Sequence, residues 1–212
     1  MIHGIEIFLV ILFAYLLGSV PTSVWVGKIF YGVDVRERGS KNAGATNMIR
    51  ILGYKAGIPV MIFDVFKGWL AVKIAAWIFS ASLSSNHFIN LEIGCALAAV
   101  AGHIFPVFAG FRGGKGVGTF AGIGIALFPW ALLIVFGIFT LTLILTRYVS
   151  LSSILSALSF PFVVIFITGE HHLMLIILAG FVAIFIPLTH IKNILRLWRG
   201  EENKFQFRRK KS

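Results

Sequence analysis

The sequence has 212 residues, of which 58% are hydrophobic and 13% charged, and its mean hydropathy of +0.93 excludes a water-soluble globular domain. We expect an all-α integral membrane protein, organised as one membrane-embedded domain over residues 1–212. The net charge of +11 is divided among short stretches between apolar segments. Nucleic acid is therefore not expected as a partner, because it requires a continuous basic surface.

Seven apolar segments are predicted to form transmembrane helices. Their approximate bounds are 5–30, 58–80, 90–110, 117–128, 130–147, 152–169 and 172–190. Gly18, Pro21 and Thr22 predict a kink in the first segment, because proline removes a helical hydrogen bond. The fourth segment is too short to cross alone, and it fits either a broken pair with the fifth or a re-entrant hairpin.

In this arrangement of seven segments, nearly all lysine and arginine residues fall on one side of the membrane. Apart from Lys67 and Lys73, they lie in the stretches or ends at 28–55, 112–115, 147 and 192–211. The positive-inside rule therefore places the N-terminus outside and the C-terminus in the cytoplasm. Within the second segment, Asp64 and Lys67 are neighbours on a helix, and a structural ion pair is favoured over a direct chemical role.

The polar stretch Arg38–Arg50 has the composition of a phosphate site. Its small residues leave backbone N–H groups accessible to an anion. The candidate binding groups are Ser40, Lys41, Asn42, Gly44, Thr46, Asn47 and Arg50. A helix from Ala45 would place Thr46 and Arg50 on one face, where Arg50 can bind an anion bidentately. The alternative is a solvated loop whose positive charge only fixes the topology.

A second polar stretch, Gly102–Thr119, is rich in glycine and precedes the fourth segment. Its candidate phosphate-binding residues are His103, Arg112, Gly113, Gly114 and Lys115. The pattern is not a Walker loop, because Gly116 rather than serine or threonine follows Lys115. The spacing of Gly114, Gly118 and Gly122 also fits the packing of small residues between helices.

Two further polar stretches follow. The third contains Arg147 with Ser152 and Ser153, whose hydroxyls either bind an anion or bond back to their own helix. The fourth contains His190, Asn193 and Arg196 at intervals of three residues. A lone histidine at a membrane interface is more often structural than catalytic, so both interpretations of His190 remain open.

No spacing of histidine, cysteine or carboxylate residues predicts a metal site. The single cysteine, Cys95, excludes an intrachain disulfide and is expected to be a small buried side chain. The sequence also contains no serine in a nucleophile elbow. The chain therefore has many groups suited to anions and no evident covalent nucleophile.

Taken in order, these motifs resemble those of the bacterial acyl-phosphate:glycerol-3-phosphate acyltransferases of the PlsY type, over nearly the whole chain. The matching motifs are Gly18-Ser-Val-Pro21, Arg38–Asn47 with Arg50, Asp64-x-x-Lys67-Gly68, Gly102-His-x-x-Pro106 with Phe111–Val117, Arg147–Ser153 and His190-x-x-Asn193-x-x-Arg196. Two departures are small: Arg112 stands where the family often has lysine, and Gly118 where it often has alanine.

The resemblance implies an enzyme that moves a fatty acyl group from acyl phosphate to the first-carbon hydroxyl of glycerol 3-phosphate, giving lysophosphatidate and inorganic phosphate in phospholipid synthesis. It implies a multi-pass protein of the bacterial inner membrane with a cytoplasmic active site, no metal and no cofactor. The expected partners are acyl phosphate, glycerol 3-phosphate and membrane lipids. A monomer is compatible with this interpretation.

We assign catalytic roles to Ser40, Arg50, Lys115, His190 and Asn193. Substrate-binding roles are assigned to Lys41, Asn42, Gly44, Thr46, Asn47, His103, Arg112, Gly113, Gly114, Ser152 and Ser153. Both substrates carry phosphates, whose repulsion of about 4 kcal/mol per close charge pair must be offset by cations. The hypothesis requires the four polar stretches to form one electropositive site. The rival functions are a phosphate or organophosphate transporter and a structural lipid-binding subunit.

Overall fold

A computed structural model describes residues 2–79 and 83–206, and every regular element in these residues is helical, which confirms the all-α prediction. The helices are α1 (Ile2–Gly18), α2 (Thr22–Tyr31), α3 (Ala45–Leu52), α4 (Tyr54–Phe79), α5 (Ser85–Ile104), α6 (Val117–Leu127), α7 (Pro129–Thr146), α8 (Val149–Phe162), α9 (Leu173–Thr189) and α10 (Ile191–Trp198). Short 3-10 turns occupy Val35–Glu37 and Val107–Ala109, and a π-helical turn, Val163–Ile167, continues α8. The chain divides after Leu127 into two compact units. The assignment of one membrane domain to residues 1–212 stays a prediction.

Three helical segments are individually long and apolar enough to cross a membrane. They are Ser85–Ala109, Pro129–Thr146 and Val149–Ile167. Two bent pairs, α1 with α2 and α9 with α10, raise the number to five in the described part of the chain if each pair forms one span. Helix α6 has 11 residues, so it extends about 17 Å against a hydrocarbon core of about 30 Å. Seven spans and the orientation of the termini therefore remain predictions.

The kink expected in the first segment is present. Helix α1 ends at Gly18, α2 begins at Thr22, and the two helices are bent by 42°. At the break, the carbonyl of Val20 accepts a hydrogen bond from Nζ of Lys67, at 3.1 Å. A side chain of α4 thus satisfies a backbone group near the break, as an apolar environment requires.

The core of the first unit lies where α1, α4 and α5 pack together. Its buried side chains are Val10, Ala14, Ala71, Ala75, Phe79, Leu91, Cys95 and Ala99. Most of them are small, which lets helices approach closely enough for van der Waals contacts to hold them. The expectation that Cys95 is a small buried side chain is confirmed, since it is fully buried here.

Helices α4 and α6 pack through glycine. A Cβ on Gly122 would collide with the backbone carbonyl of Val65, and one on Gly118 would lie 3.2 Å from Cβ of Asp64. On the α4 side, a Cβ on Gly68 would collide with the backbone carbonyl of Thr119. Small-residue packing is thus confirmed for Gly118 and Gly122, whereas Gly114 lies in the loop before α6.

Replacing Gly122 by alanine is expected to destabilise the protein by about 1–3 kcal/mol, because the added methyl group meets backbone that cannot rotate away. Thermal unfolding in detergent measures this effect. The matched control is Gly137→Ala in α7, where nothing lies within 4 Å of the new Cβ. An unchanged unfolding temperature for Gly122→Ala would contradict the proposed packing.

The second unit is built from α7, α8 and α9. The rings of Phe128 and Phe160 meet edge to face with their centroids 5.2 Å apart, and Oγ of Ser156 donates to the carbonyl of Val135 at 3.3 Å. The outer surface is strongly apolar, and Trp130 and Phe166 are 73% and 77% exposed. Such a surface is expected where helices face lipid.

Candidate functional site

The first polar stretch is organised around the buried side chain of Asn47. Its Nδ2 donates to the carbonyls of Val35, Arg38 and Asn42 at 2.8, 3.1 and 3.1 Å, and its Oδ1 accepts the backbone N–H of Ser40 at 2.9 Å. A buried amide bonded in this way holds the loop in one conformation, because releasing any partner would leave a polar group unsatisfied. Asn47, predicted to bind substrate, is thus placed to shape the stretch.

Helix α3 begins at Ala45, which meets the condition set in the sequence analysis, and it places Thr46 and Arg50 on one face. The side chain of Arg50 is exposed and that of Thr46 is half-buried. The first helical bonds are donated by the amides of Asn47 and Met48 to the carbonyl of Gly44. The amides of Ala45 and Thr46 therefore precede the helical ladder, at the positive end of the helix dipole.

Around α3, the other predicted residues of this stretch differ in exposure. Lys41 is exposed and has a positive φ of 58°. Ser40, Asn42 and Gly44 are half-buried. The stretch therefore presents a cation and small polar groups at its surface while Asn47 lies beneath them.

The glycine loop of the second polar stretch is closed against the end of α5. The amides of Gly113 and Gly114 donate to the carbonyls of Ile104 and His103, each at 3.1 Å. These two N–H groups thus bond to α5, although the sequence suggested that they stand open to an anion. Arg112 is exposed and Lys115 is half-buried where the chain enters α6.

The first two polar stretches meet at Gly114. A Cβ on Gly114 would collide with Nε2 of His103 and would lie 3.1 Å from the carbonyl oxygen of Ala43. Glycine is required here because two other chain segments occupy the space of a side chain. The structure thus joins Ala43 and Gly114, which are 71 residues apart in sequence.

A buried charged cluster lies beside this junction. Nζ of Lys67 is 2.8 Å from Oδ1 of Asp64, and Nδ1 of His103 is 3.6 Å from the same oxygen. All three side chains are at least nine-tenths buried. The ion pair expected within α4 is confirmed, and it includes a histidine that the sequence did not connect to it.

The cluster faces a small cleft, partly open to solvent, whose volume of about 10 Å³ has room for about one water molecule. The cleft is lined by Val20, Pro21, Thr22, Ala43, Asp64, Lys67, His103, Pro106, Gly113 and Gly114. Residues of both polar stretches and of the break between α1 and α2 therefore share one cavity wall. This cleft is the candidate site of the first unit.

Two residues that the sequence analysis did not select, Asp34 and Arg36, connect the same stretches. Nε and Nη2 of Arg36 donate to the two carboxylate oxygens of Asp34 at 3.0 and 2.8 Å. Nη1 of Arg36 donates to the carbonyl of Ala109 at 2.7 Å. The hydrogen bond from Arg36 holds the pKa of the Asp34 carboxyl well below its usual range. The sequence shows that Asp34 and Arg36 are close together along the chain. It gives no sign of the contact with Ala109, which lies 73 residues from Arg36.

In the second unit, the carboxylate of Glu202 joins the third and fourth polar stretches. Its Oε1 accepts from Nδ2 of Asn193 at 2.6 Å and from Oγ of Ser150 at 2.9 Å, and its Oε2 accepts from Nε of Arg196 at 2.7 Å. Burial alone would raise the pKa of Glu202, but hydrogen bonds from Arg196, Asn193 and Ser150 lower it below the usual value. Glu202 is a further residue that the sequence motifs did not select.

The remaining predicted residues of the second unit are buried. The hydroxyls of Ser152 and Ser153 donate to the carbonyls of Tyr148 and Val149 in their own helix, each at 2.9 Å. Nδ1 of His190 lies 2.8 Å from the carbonyl of Ile186 and must carry a proton there, because a carbonyl only accepts. In the neutral imidazole, Nε2 is then the acceptor nitrogen.

The Glu202 contacts predict a pH dependence of stability. Because the folded-state pKa is lowered, these contacts stabilise the fold above the unfolded carboxyl pKa of about 4.3 and lose that effect as the pH falls through the folded-state pKa. Unfolding temperatures of the wild type and of Glu202→Gln should therefore differ at neutral pH and converge in acid. Glu201→Gln, at an exposed neighbour, is the control. A constant difference across the range would contradict the assignment.

Comparisons with known proteins all indicate the same protein family. The family model of glycerol-3-phosphate acyltransferases matches residues 8–200. A glycerol-3-phosphate acyltransferase of Chlorobaculum tepidum is 42% identical over 227 aligned residues, covering 95% of this chain and 97% of the relative. One of Listeria monocytogenes is 42% identical over 203 residues, covering 96% and 98%.

The fold is also similar to that of a solved structure. Two crystal structures of PlsY (YgiH), described as an integral membrane glycerol 3-phosphate acyltransferase, superpose with TM-scores of 0.82 and 0.81 at 35% and 36% identity. Each comparison covers 95% of this chain and 96% of the other. One is described as the glycerol 3-phosphate form and the other as the lysophosphatidic acid form.

Proposed function

The chain belongs to the glycerol-3-phosphate acyltransferase family, and on that premise we propose that it transfers a fatty acyl group from acyl phosphate to the first-carbon hydroxyl of glycerol 3-phosphate. The products are lysophosphatidate and inorganic phosphate. The observation that carries the proposal is the similarity over 95% of the chain to a protein crystallised in a glycerol 3-phosphate form.

The proposed reaction is a direct attack. The hydroxyl oxygen of glycerol 3-phosphate forms a bond to the acyl carbonyl carbon, the bond from that carbon to the phosphate oxygen breaks, and phosphate leaves. The hydroxyl proton passes to a phosphate oxygen of a substrate. An acyl phosphate is a mixed anhydride with a good leaving group, so proximity and charge stabilisation can supply much of the rate enhancement.

Cations are the chief requirement of this mechanism, because two phosphorylated reactants repel each other. In the first unit we propose Arg50 and Lys115 for this role, assisted by Arg112 and Lys41. Lys115 lies two residues before α6, near the end of the helix where the dipole adds positive potential. The remaining proposed contacts are Ser40, Asn42, Gly44, Thr46 and His103. Gly113 and Gly114, whose amides bond to α5, are proposed to let the substrate approach the backbone closely.

Asn47 takes a different role in the proposal from the one assigned from sequence. Both ends of its side-chain amide bond to the backbone of its own loop. We therefore propose that Asn47 positions Ser40 and the residues around it rather than binding substrate itself.

In the second unit, His190 and Asn193 are proposed to bind and orient phosphate, with Ser152 and Ser153 in supporting roles. Because Nδ1 of His190 donates to the Ile186 carbonyl, Nε2 donates to a phosphate oxygen when the ring is the imidazolium, in which both nitrogens carry protons. Asn193 is fixed by its short bond to Glu202, which reduces the entropy lost when it orders around a ligand.

We also propose the membrane arrangement predicted from the sequence: seven spans, an external N-terminus, a cytoplasmic C-terminus and a location in the bacterial inner membrane. The distribution of lysine and arginine supports it. The site then faces the cytoplasm, which supplies glycerol 3-phosphate, while the acyl chain enters from lipid. A monomer is the proposed state.

Purified protein given acyl phosphate and glycerol 3-phosphate tests the proposal. Lysophosphatidate and inorganic phosphate should form in equal amounts, and acyl-CoA should not replace acyl phosphate. Product from acyl-CoA alone would overturn the proposed donor. Phosphate flux into vesicles without any acylated product would instead indicate a transporter.

A further inference from the structure

We propose that Arg36 is a positioning residue, which clamps the loop carrying Arg112 and Lys115 against the first polar stretch and so assembles the phosphate-binding surface of the first unit. The clamp consists of Asp34, Arg36 and the backbone of the loop. The clamp is a feature of the structure, whereas its effect on catalysis rests on the proposed function.

The guanidinium of Arg36 is fixed from behind by Asp34. Two parallel hydrogen bonds join Nε and Nη2 of Arg36 to Oδ1 and Oδ2 of Asp34, the geometry in which arginine binds a carboxylate most specifically. Oδ1 also accepts the backbone N–H of Arg36 at 3.0 Å, and Nζ of Lys28 lies 3.1 Å from Oδ2. Asp34 is thus held by two cations and a backbone amide, and it holds Arg36 in one rotamer.

The third nitrogen of the Arg36 guanidinium, Nη1, is directed at the loop. Nη1 donates to the carbonyl of Ala109 at 2.7 Å and lies 3.4 Å from that of Arg112. Between these carbonyls, Gly110 and Phe111 have φ values of 63° and 58°. Two consecutive left-handed residues, one of them not glycine, are an uncommon backbone that its surroundings must hold in place.

The position of this contact gives it a functional consequence. Gly113 and Gly114 bond to the end of α5, so the loop is tied down on one side by α5 and on the other by Arg36. Arg112 and Lys115 flank those glycines. Arg112 is therefore presented between two fixed points, and Lys115 follows them before α6. Loss of the Arg36 contact would release the side of the loop that carries Arg112.

Lysine cannot replace arginine here. The Arg36 guanidinium contacts a carboxylate with one edge and a carbonyl with Nη1, which requires several donors in a rigid plane. A lysine ammonium is a single point that cannot span both partners. Arg36→Lys therefore keeps the charge and removes the clamp.

The test measures proteolysis and kinetics on the full-length protein. Trypsin cleaves after Arg112, which is exposed, so release of the loop should accelerate that cleavage about tenfold in Arg36→Lys. The KM for glycerol 3-phosphate should rise about tenfold while kcat changes less than about twofold, because Arg112 is displaced but not removed. The control Arg199→Lys, at an exposed arginine outside the polar stretches, should change neither.

Each possible result either supports or contradicts the proposal. Unchanged cleavage after Arg112 would show that there is no clamp. Faster cleavage with an unchanged KM would overturn its role in substrate binding. If Arg36→Lys does not fold, Asp34→Asn serves instead, since it keeps the size of the side chain and loses the charge that fixes Arg36. Absence of acyltransferase activity in the wild type would refute the proposed function, while the cleavage comparison would still test the clamp.

Discussion

Alanine in place of Arg50 should lower kcat/KM for the acyl transfer at least about tenfold. A hydrogen bond from arginine to an anion contributes about 1.5–3 kcal/mol, which corresponds to roughly tenfold to a hundredfold in rate. Because the Arg50 side chain is exposed on α3, its removal leaves no cavity in the core. Initial rates of phosphate release from the purified variant measure the effect.

The control for this substitution is Lys55→Ala. Lys55 is also an exposed cation and lies in the first turn of α4, outside the polar stretches. Its loss lowers the net charge by the same amount, so it separates a specific contact from a general electrostatic effect. Near-normal activity in Arg50→Ala, or an equal loss in both variants, would remove Arg50 from the proposed site.

The largest effect on stability is expected for Lys67→Met. Lys67 is 1% exposed and bonds to both the Asp64 carboxylate and the Val20 carbonyl. Removing one partner of a buried ion pair costs about 3–5 kcal/mol, because the buried Asp64 carboxylate loses the ammonium that lies 2.8 Å from it. Thermal unfolding in detergent and the yield of folded protein should both fall sharply.

A double variant separates charge from packing. Asp64→Asn combined with Lys67→Met leaves neither charge in the cluster, so it should be more stable than Lys67→Met alone. The buried side chain of His103 stays in place in both variants. If the double variant were no more stable than the single one, the effect would come from lost packing, and the ion-pair explanation would be wrong.

The helices were predictable because a membrane-embedded backbone must satisfy its own hydrogen bonds over a continuous apolar segment. The predicted segment 130–147 corresponds to Pro129–Thr146, and 172–190 to Leu173–Thr189. The interruption near Pro21 was predictable for the same reason, since proline withdraws a donor. Composition does not decide, however, whether a short helix such as α6 crosses the bilayer.

Local parts of the candidate site were also predictable. The shared face of Thr46 and Arg50 and the pairing of Asp64 with Lys67 follow from helical spacing alone. The contacts of Arg36 with Ala109 and of Ser150 with Glu202 span 73 and 52 residues, and no local pattern encodes them. For Asn47 the residue type indicated hydrogen bonding, but only the fold shows that its partners are backbone groups.

The glycine contacts between helices have a consequence for evolution. Gly18, Gly68 and Gly122 each face a main-chain carbonyl, of Ala99, Thr119 and Val65 respectively. A clash with a side chain can be relieved by shortening that side chain, but every amino acid carries the same carbonyl oxygen. Substitutions of the opposing residue should therefore not rescue a variant with alanine at one of these positions. A selection for restored function should recover glycine itself.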